Sequence, residues 1–201
     1  WVWLLNPDID FYDIDVINNI HLKLLELPSK ALIGTAVLDK KGSLESSAGW
    51  FDKGLNFRSR NVQKNMTYCS RLSVDWLSGC SLLFKPIAHL NKPRFDETFP
   101  LYYEDIDFCL RFRKIGIPIL WLPSIKVIHY AGEGSITSVN RRLRLSTCSY
   151  IRFLIRHTKP WVYTLRIIRL LTNISIRLFI NPTRSLSILI GFLQAFQRSN
   201  K

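Results

Sequence analysis

Residues 141–201 contain no Asp or Glu, against 12 Lys and Arg, whereas residues 1–140 hold 16 Lys and Arg against 15 Asp and Glu. A nearly neutral domain therefore carries a wholly basic tail, and such a tail seeks anionic surfaces, either membrane or nucleic acid. Cysteine is scarce: Cys69, Cys80, Cys109 and Cys148 show no CxxC spacing. That excludes a stapled secreted fold and a zinc cluster, and it fits free thiols in a reducing compartment. Nine Gly and nine Pro exclude collagen-like and Pro-rich chains. No run reaches about 18 uncharged apolar residues, so no membrane-spanning helix is expected. A basic leader is also lacking: the sequence opens at Trp1 on an apolar run, which reads as a fragment or a chain cut upstream of a strand.

What is present is ample core material, 47% hydrophobic residues with 12% aromatic, which excludes a disordered chain. Trp1 to Leu5 predicts a strand buried on both faces, ended by the turn Asn6-Pro7-Asp8. Apolar positions Val16, Ile17, Ile20, Leu24 and Leu25 predict a helix capped by Asp13 and running through Leu27. Ala31–Leu38 predicts a strand, Asp39-Lys40-Lys41-Gly42 a tight turn, and Leu44 a short strand. Residues 50–72 read as a loop or lid. Leu77–Phe84 predicts a strand with Gly79 inside it, a position where a ligand or another backbone comes close. A short helix is expected after Pro86. A helix from Glu104 to about Ile115 ends at Gly116, and strands at Ile117–Leu122 and Lys126–Tyr130 follow. The tail predicts helices at about 141–158, 161–180 and 184–198, broken at Pro160 and Pro182.

Three places carry candidate chemistry. Asp8 stands just past a strand end, where α/β sheets bind ligands, and a carboxylate there suits Mg²⁺ or Mn²⁺ with a diphosphate. Taken alone, a plain turn is the simpler reading. Glu104, Asp105 and Asp107 crowd one helix start, where the helix dipole favours acids. Asp107 has Arg111 four residues on, which argues for a structural role, whereas Asp105 has Cys109 there and is the better general base. His129 ends a strand beside the Gly-rich segment Ala131-Gly132-Glu133-Gly134-Ser135.

The order of these segments says more than any one of them. Asn6-Pro7-Asp8 is followed by Trp76-Leu77-Ser78-Gly79, then by Phe95-Asp96-Glu97. Tyr103-Glu104-Asp105-Ile106-Asp107-Phe108-Cys109-Leu110-Arg111 comes next, and then a strand ending in His129. The series resembles the inverting glycosyltransferases of family 2, rhamnosyltransferase-like branch, over roughly residues 1–158. The resemblance implies a partial GT-A fold, a Rossmann-like α/β sandwich at 1–140, with an α-helical extension at 141–201. It implies that Asp8 with Asn6 holds a divalent metal (Mg²⁺ or Mn²⁺) and the donor diphosphate, with His129 assisting. It assigns the catalytic base to Asp105 and the acceptor-side wall to Trp76 and Gly79, and Glu104 and Asp107 join the substrate-binding set. The strict family motif has Asp where Asn6 stands. The family's nucleotide-gripping strand and helix would lie upstream of Trp1, so the expectation for this chain is weak donor binding or none. The implied reaction moves a sugar, rhamnose among the candidates, from a nucleotide-diphosphate donor to a hydroxyl of a surface glycan or lipid-linked acceptor. The rival expectation is a non-catalytic, membrane-associated remnant or scaffold.

In the tail, Arg166, Arg169 and Arg177 share one stripe of a helical wheel, with Leu165, Ile168, Leu171, Leu178 and Phe179 over much of the rest. That pattern predicts an interfacial helix on anionic lipid, joined by Leu186–Phe196, and a peripheral place on the inner, cytoplasmic face of the membrane. No nucleic-acid motif appears, so nucleic acid is not an expected partner.

Overall fold

A computed structural model describes residues 1–45, 47–52, 59–86, 94–130 and 138–197. The fold is mixed α/β. Its elements divide into two units: the described residues between 1 and 94 and between 108 and 130 form one, and those between 95 and 107 and from 138 onward form the other. Residues 95–107 thus group with the tail helices rather than with the strands that precede them in sequence.

The first unit is built on a sheet whose strand order is β1 (Val2–Leu5), β8 (Ser81–Phe84), β3 (Leu32–Leu38), β9 (Ile119–His129) and β2 (Ile9–Phe11), with β6 (Leu72–Ser73) also paired to β9. Among these pairs β3 and β9 run parallel, and the others are antiparallel. β3 is buried along its whole length, which its unbroken Leu-Ile-Gly-Thr-Ala-Val-Leu run requires at the centre of a covered sheet. Helix α1 (Val16–Leu25) covers the sheet: Val16 and Ile20 pack with Ile33, Leu83, Leu120, Leu122 and Ile125. A second, three-stranded sheet joins β5 (Ser59–Asn61), β4 (Ala48–Phe51) and β7 (Trp76–Leu77).

Several expectations are corrected here. The Trp1–Leu5 strand lies at the end of the sheet, with Val2 exposed, and not in its doubly covered middle. Trp3, Leu4 and Leu5 are only half-buried there. Asp15, not Asp13, is the residue before α1; Asp13 instead shapes the turn, its Oδ1 accepting from Asp15 N–H at 3.1 Å. The Leu77–Phe84 strand is two strands in two sheets, and Gly79 lies in the turn between them. The 50–72 segment contributes β4, β5 and a 3-10 turn at Lys64–Tyr68, ordered by pairing that no periodicity announces. The expected helix after Pro86 and the Gly-rich segment 131–135 lie outside the described residues.

The second unit holds α3 (Val139–His157), α4 (Pro160–Leu178) and α5 (Pro182–Gln194), close to the three expected helices. Pro160 and Pro182 each occupy the first turn of a helix, where the absent N–H costs nothing. Ser138 caps α3 and Asn181 caps α5 through side-chain oxygens that accept from Arg141 and Arg184 N–H. Cys148, Ile151 and Ala195 form a core with Tyr163, Ile167, Leu170 and Phe192. α3 and α5 cross closely at Gly191, where a Cβ would come within 2.2 Å of the Arg144 carbonyl oxygen. Helix α2 (Glu104–Lys114) begins in this unit and continues into the first.

Candidate active site

In the first unit the pairing of β2 with β9 decides the geometry. Ile9 stands opposite His129 in that antiparallel ladder, so Asp8, the residue before it, is carried to the end of β9. The Tyr130 N–H donates to the Asp8 carbonyl at 2.9 Å, and Nε2 of His129 lies 3.3 Å from Oδ2 of Asp8. The structure thus brings together Asp8 and His129, residues far apart in sequence that the sequence analysis had paired.

A third member was not foreseen. Nδ1 of His129 lies 2.8 Å from Oε2 of Glu45. Glu45 arrives there by a local device. Asp39 Oδ1 accepts from the N–H groups of Lys41 and Ser43, and Gly42 turns the chain at a φ of 74°, a conformation that glycine adopts without a Cβ penalty. Leu44 then bridges back to Leu38 beside the end of β9. The Asp-Lys-Lys-Gly turn was legible; what it delivers was not.

The imidazole is therefore flanked by carboxylates at both nitrogens. A neutral imidazole has one N–H and cannot donate to both. A second proton, or a cation held at Nε2, reconciles the arrangement. Oδ1 of Asp8 is buried without a hydrogen-bond partner among the described residues. A carboxylate oxygen with nothing to bind, beside an imidazole nitrogen, is a donor set that suits Mn²⁺ or Mg²⁺ completed by phosphate oxygens. Among the described residues no group of three or more His, Cys, Asp or Glu is arranged to hold a metal by itself.

Asn6 sits two residues before Asp8. Its Nδ2 donates to Cys80 Sγ at 3.4 Å and its N–H to the Cys80 carbonyl at 3.2 Å, which ties the Asn-Pro-Asp turn to the start of β8. All four cysteines are free thiols. Trp76 is buried on β7 against Gly49, with Nε1 unpartnered among the described residues.

In the second unit, the acidic cluster opens α2. Tyr102 and Tyr103, immediately before it, have φ of 63° and 69°. Two consecutive aromatic residues in the left-handed region carry strain of about 1–2 kcal/mol each, tolerated only where packing enforces it. The ring of Tyr103 is held 5.7 Å from Tyr150 and 5.1 Å from Phe153, and burial, then the charge of Tyr150, pushes its hydroxyl up to about 12. The strained turn delivers Glu104 and Asp105 to the helix start. Oδ1 of Asp105 accepts from the Ile106 N–H at 2.8 Å. Burial, and then the charge of Asp105, raises the Glu104 carboxyl, whose Oε2 is buried without a hydrogen-bond partner among the described residues. Two adjacent acids thus have different environments, the usual way a site separates their roles.

Asp107 is 0% exposed. Its Oδ1 accepts from Arg156 Nη1 at 2.9 Å and lies 2.7 Å from Nε2 of His157, whose side chain is 2% exposed. Arg156 also reaches Asp96 at 2.7 Å and covers the Phe99 ring. Asp96 and Asp107 thus anchor the C-terminal end of α3. The structural reading of Asp107 named Arg111 from spacing; the structure adds Arg156 and His157 of α3, out of reach of any local rule.

No protein-family model matches the chain. The chain is similar to rhamnosyltransferases. It is 28% identical over 102 residues to the rhamnosyltransferase WbbL of Escherichia coli K12, covering 51% of this chain and 38% of that protein. It is 28% identical over 183 residues to the N-acetylglucosaminyl-diphospho-decaprenol L-rhamnosyltransferase of Mycobacterium tuberculosis, in each of two strains, covering 83% of this chain and 59% of the relative. The chain spans less than two thirds of the length of these relatives.

Proposed function

We propose that this chain carries the diphosphate-binding and base-bearing parts of an inverting family 2 glycosyltransferase of GT-A type. The donor is a nucleotide-diphosphate sugar, rhamnose by analogy with the relatives, and the acceptor is a hydroxyl of a lipid-linked or surface glycan. The observation that carries this reading is the Asp8–His129 pair at the end of β9, with a carboxylate oxygen of Asp8 left unsatisfied.

In this reading Asp8 and His129 serve the leaving group. Asp8 and His129 would hold a divalent cation, with Glu45 orienting the imidazole through Nδ1 and Asn6 keeping the turn closed on β8. When bound, the cation supplies positive charge for the departing diphosphate. Asp105 is the base that the family resemblance assigns. Asp105 takes the proton of the acceptor hydroxyl as the oxygen attacks the anomeric carbon opposite the leaving diphosphate, and a single displacement of that kind inverts the configuration. Glu104, whose Oε2 has no hydrogen-bond partner among the described residues, is suited to hydrogen-bonding the acceptor.

The test is calorimetric titration of the chain with dTDP and with UDP, each with and without Mn²⁺, beside an Asp8→Ala variant. Weak, metal-dependent binding that is abolished in the variant is the expected result. A folded wild-type chain that binds neither nucleotide in the presence of Mn²⁺ would overturn the diphosphate role and favour the non-catalytic scaffold. Sugar transfer to a polyprenyl-diphosphate-linked acceptor, compared between the chain and Asp105→Asn, then tests the base.

A further inference from the structure

The outward side of the C-terminal helices is apolar. On α4, Trp161, Leu165, Ile168, Ile176 and Phe179 are all exposed, and at 100° per residue they fall within an arc of about 80°. The opposite side of the same helix is spent on packing: Tyr163, Ile167 and Leu170 lie in the core with α3 and α5. The stripe runs the 19 residues of α4 and culminates in the turn to α5, where Phe179 is 91% and Ile180 78% exposed. Two adjacent large apolar side chains at a helix-turn-helix tip, this far into water, are not explained by the fold of their own unit.

The charge beside the stripe has one sign. Arg169 lies along its flank, while Arg177 in the last turn of α4 and Arg184 in the first turn of α5 bracket the tip, and all three are exposed. The segment 141–201 contains no acidic residue to oppose them. A protein partner of ordinary surface would not require so complete an exclusion of acids, whereas a negatively charged sheet of lipid does. A helix with this pattern lies in the interface, with apolar side chains among the acyl chains and basic ones at the headgroups. No helix among the described residues is long and apolar enough to cross a membrane, so a surface contact is the geometry this pattern allows.

We infer that the α4 stripe and the Phe179–Ile180 tip dock this chain on an anionic lipid bilayer, with the tip inserted between headgroups and Arg169, Arg177 and Arg184 on the phosphates. The inference rests on the second unit alone and is independent of the sugar-transfer reading.

The test is flotation of the chain with vesicles of phosphatidylglycerol and phosphatidylcholine, against vesicles of phosphatidylcholine alone. The wild type should float with the anionic vesicles and remain behind with the neutral ones. The double variant Phe179→Ser with Ile180→Ser should lower the partition coefficient roughly tenfold or more. Arg177→Gln with Arg184→Gln should lower it by at least about tenfold on anionic vesicles, and so should raising the salt. All substituted side chains are exposed, and circular dichroism of each variant checks that the helices persist. Equal binding to neutral and anionic vesicles, or undiminished binding by the tip variant, would overturn the inference. So would sedimentation showing a wild-type dimer that the tip variant converts to monomer without lipid, because the face would then be an interface between copies of this chain.

Discussion

Oε2 of Glu45 lies 2.8 Å from Nδ1 of His129, while Nε2 of the same ring faces Asp8. A carboxylate behind a metal-facing imidazole fixes its tautomer and its orientation, and loss of such a partner typically weakens metal affinity about 10- to 100-fold. Glu45→Ala is therefore expected to weaken Mn²⁺ binding by that factor. Glu45→Gln, whose carbonyl oxygen still accepts from Nδ1–H, should retain most of it. Titration calorimetry with Mn²⁺ measures both, and an Ala variant binding as tightly as wild type would remove Glu45 from the site.

Asp107 is enclosed by Arg156 and His157 of α3. Deleting Asp107 leaves Arg156 to Asp96 alone and the buried Nε2 of His157 without its partner, at a cost of about 1–3 kcal/mol. Asp107→Ala should therefore lower urea-unfolding stability by that amount. A change under about 1 kcal/mol would show that the cluster is better hydrated than its burial indicates.

Asp96 gives a pH dependence with a definite sign. Burial pushes its carboxyl up, but hydrogen bonds from Thr98 and Arg156, with the charge of Arg156, outweigh that and hold it below its ordinary value of 3.8. A carboxyl lowered in the folded state contributes stability above the unfolded value and loses it as pH falls through the folded one. Acid unfolding followed by circular dichroism should therefore show Asp96→Asn less stable than wild type at neutral pH, with the difference vanishing below pH 3.8. A difference constant down to the lowest pH would separate the effect from ionisation.

Tyr102 and Tyr103 share a left-handed backbone but not an environment. Tyr102 is exposed, so Tyr102→Gly relieves strain at little packing loss and should be neutral or stabilising by up to about 1 kcal/mol. Tyr103→Gly discards the ring seated on Tyr150 and Phe153 and should destabilise by about 3–5 kcal/mol. Thermal denaturation of the pair distinguishes a packed, strained turn from a merely flexible one, for which both substitutions would behave alike.

Gly191→Ala introduces a methyl 2.2 Å from the Arg144 carbonyl oxygen. Since backbone is the neighbour, relief requires α3 and α5 to separate, at about 1–3 kcal/mol. Unchanged stability would mean the helices can part without loss.

The sequence by itself determined the elements whose causes are local. Pro160 and Pro182 divide the tail into helices, Gly116 takes a φ of 80° just after α2, and the solid apolar run of β3 demands a central strand. It also determined the candidate set Asp8, Asp105 and His129, because residue order along the chain is preserved in a family resemblance. What only the tertiary structure decided depends on partners distant in sequence. β1 lies at the edge and not the centre because pairing, not hydrophobicity, sets strand order. Trp76 separates from Ser81 into another sheet by the same logic, with Gly79 in the turn between them. Glu45 reaches His129, and Arg156 and His157 reach Asp107, by burial that closes across the fold. Hydrogen bonds and ion pairs of this kind leave no periodicity in the chain, since a side chain's charge and reach are encoded locally but the group that satisfies it is chosen by packing.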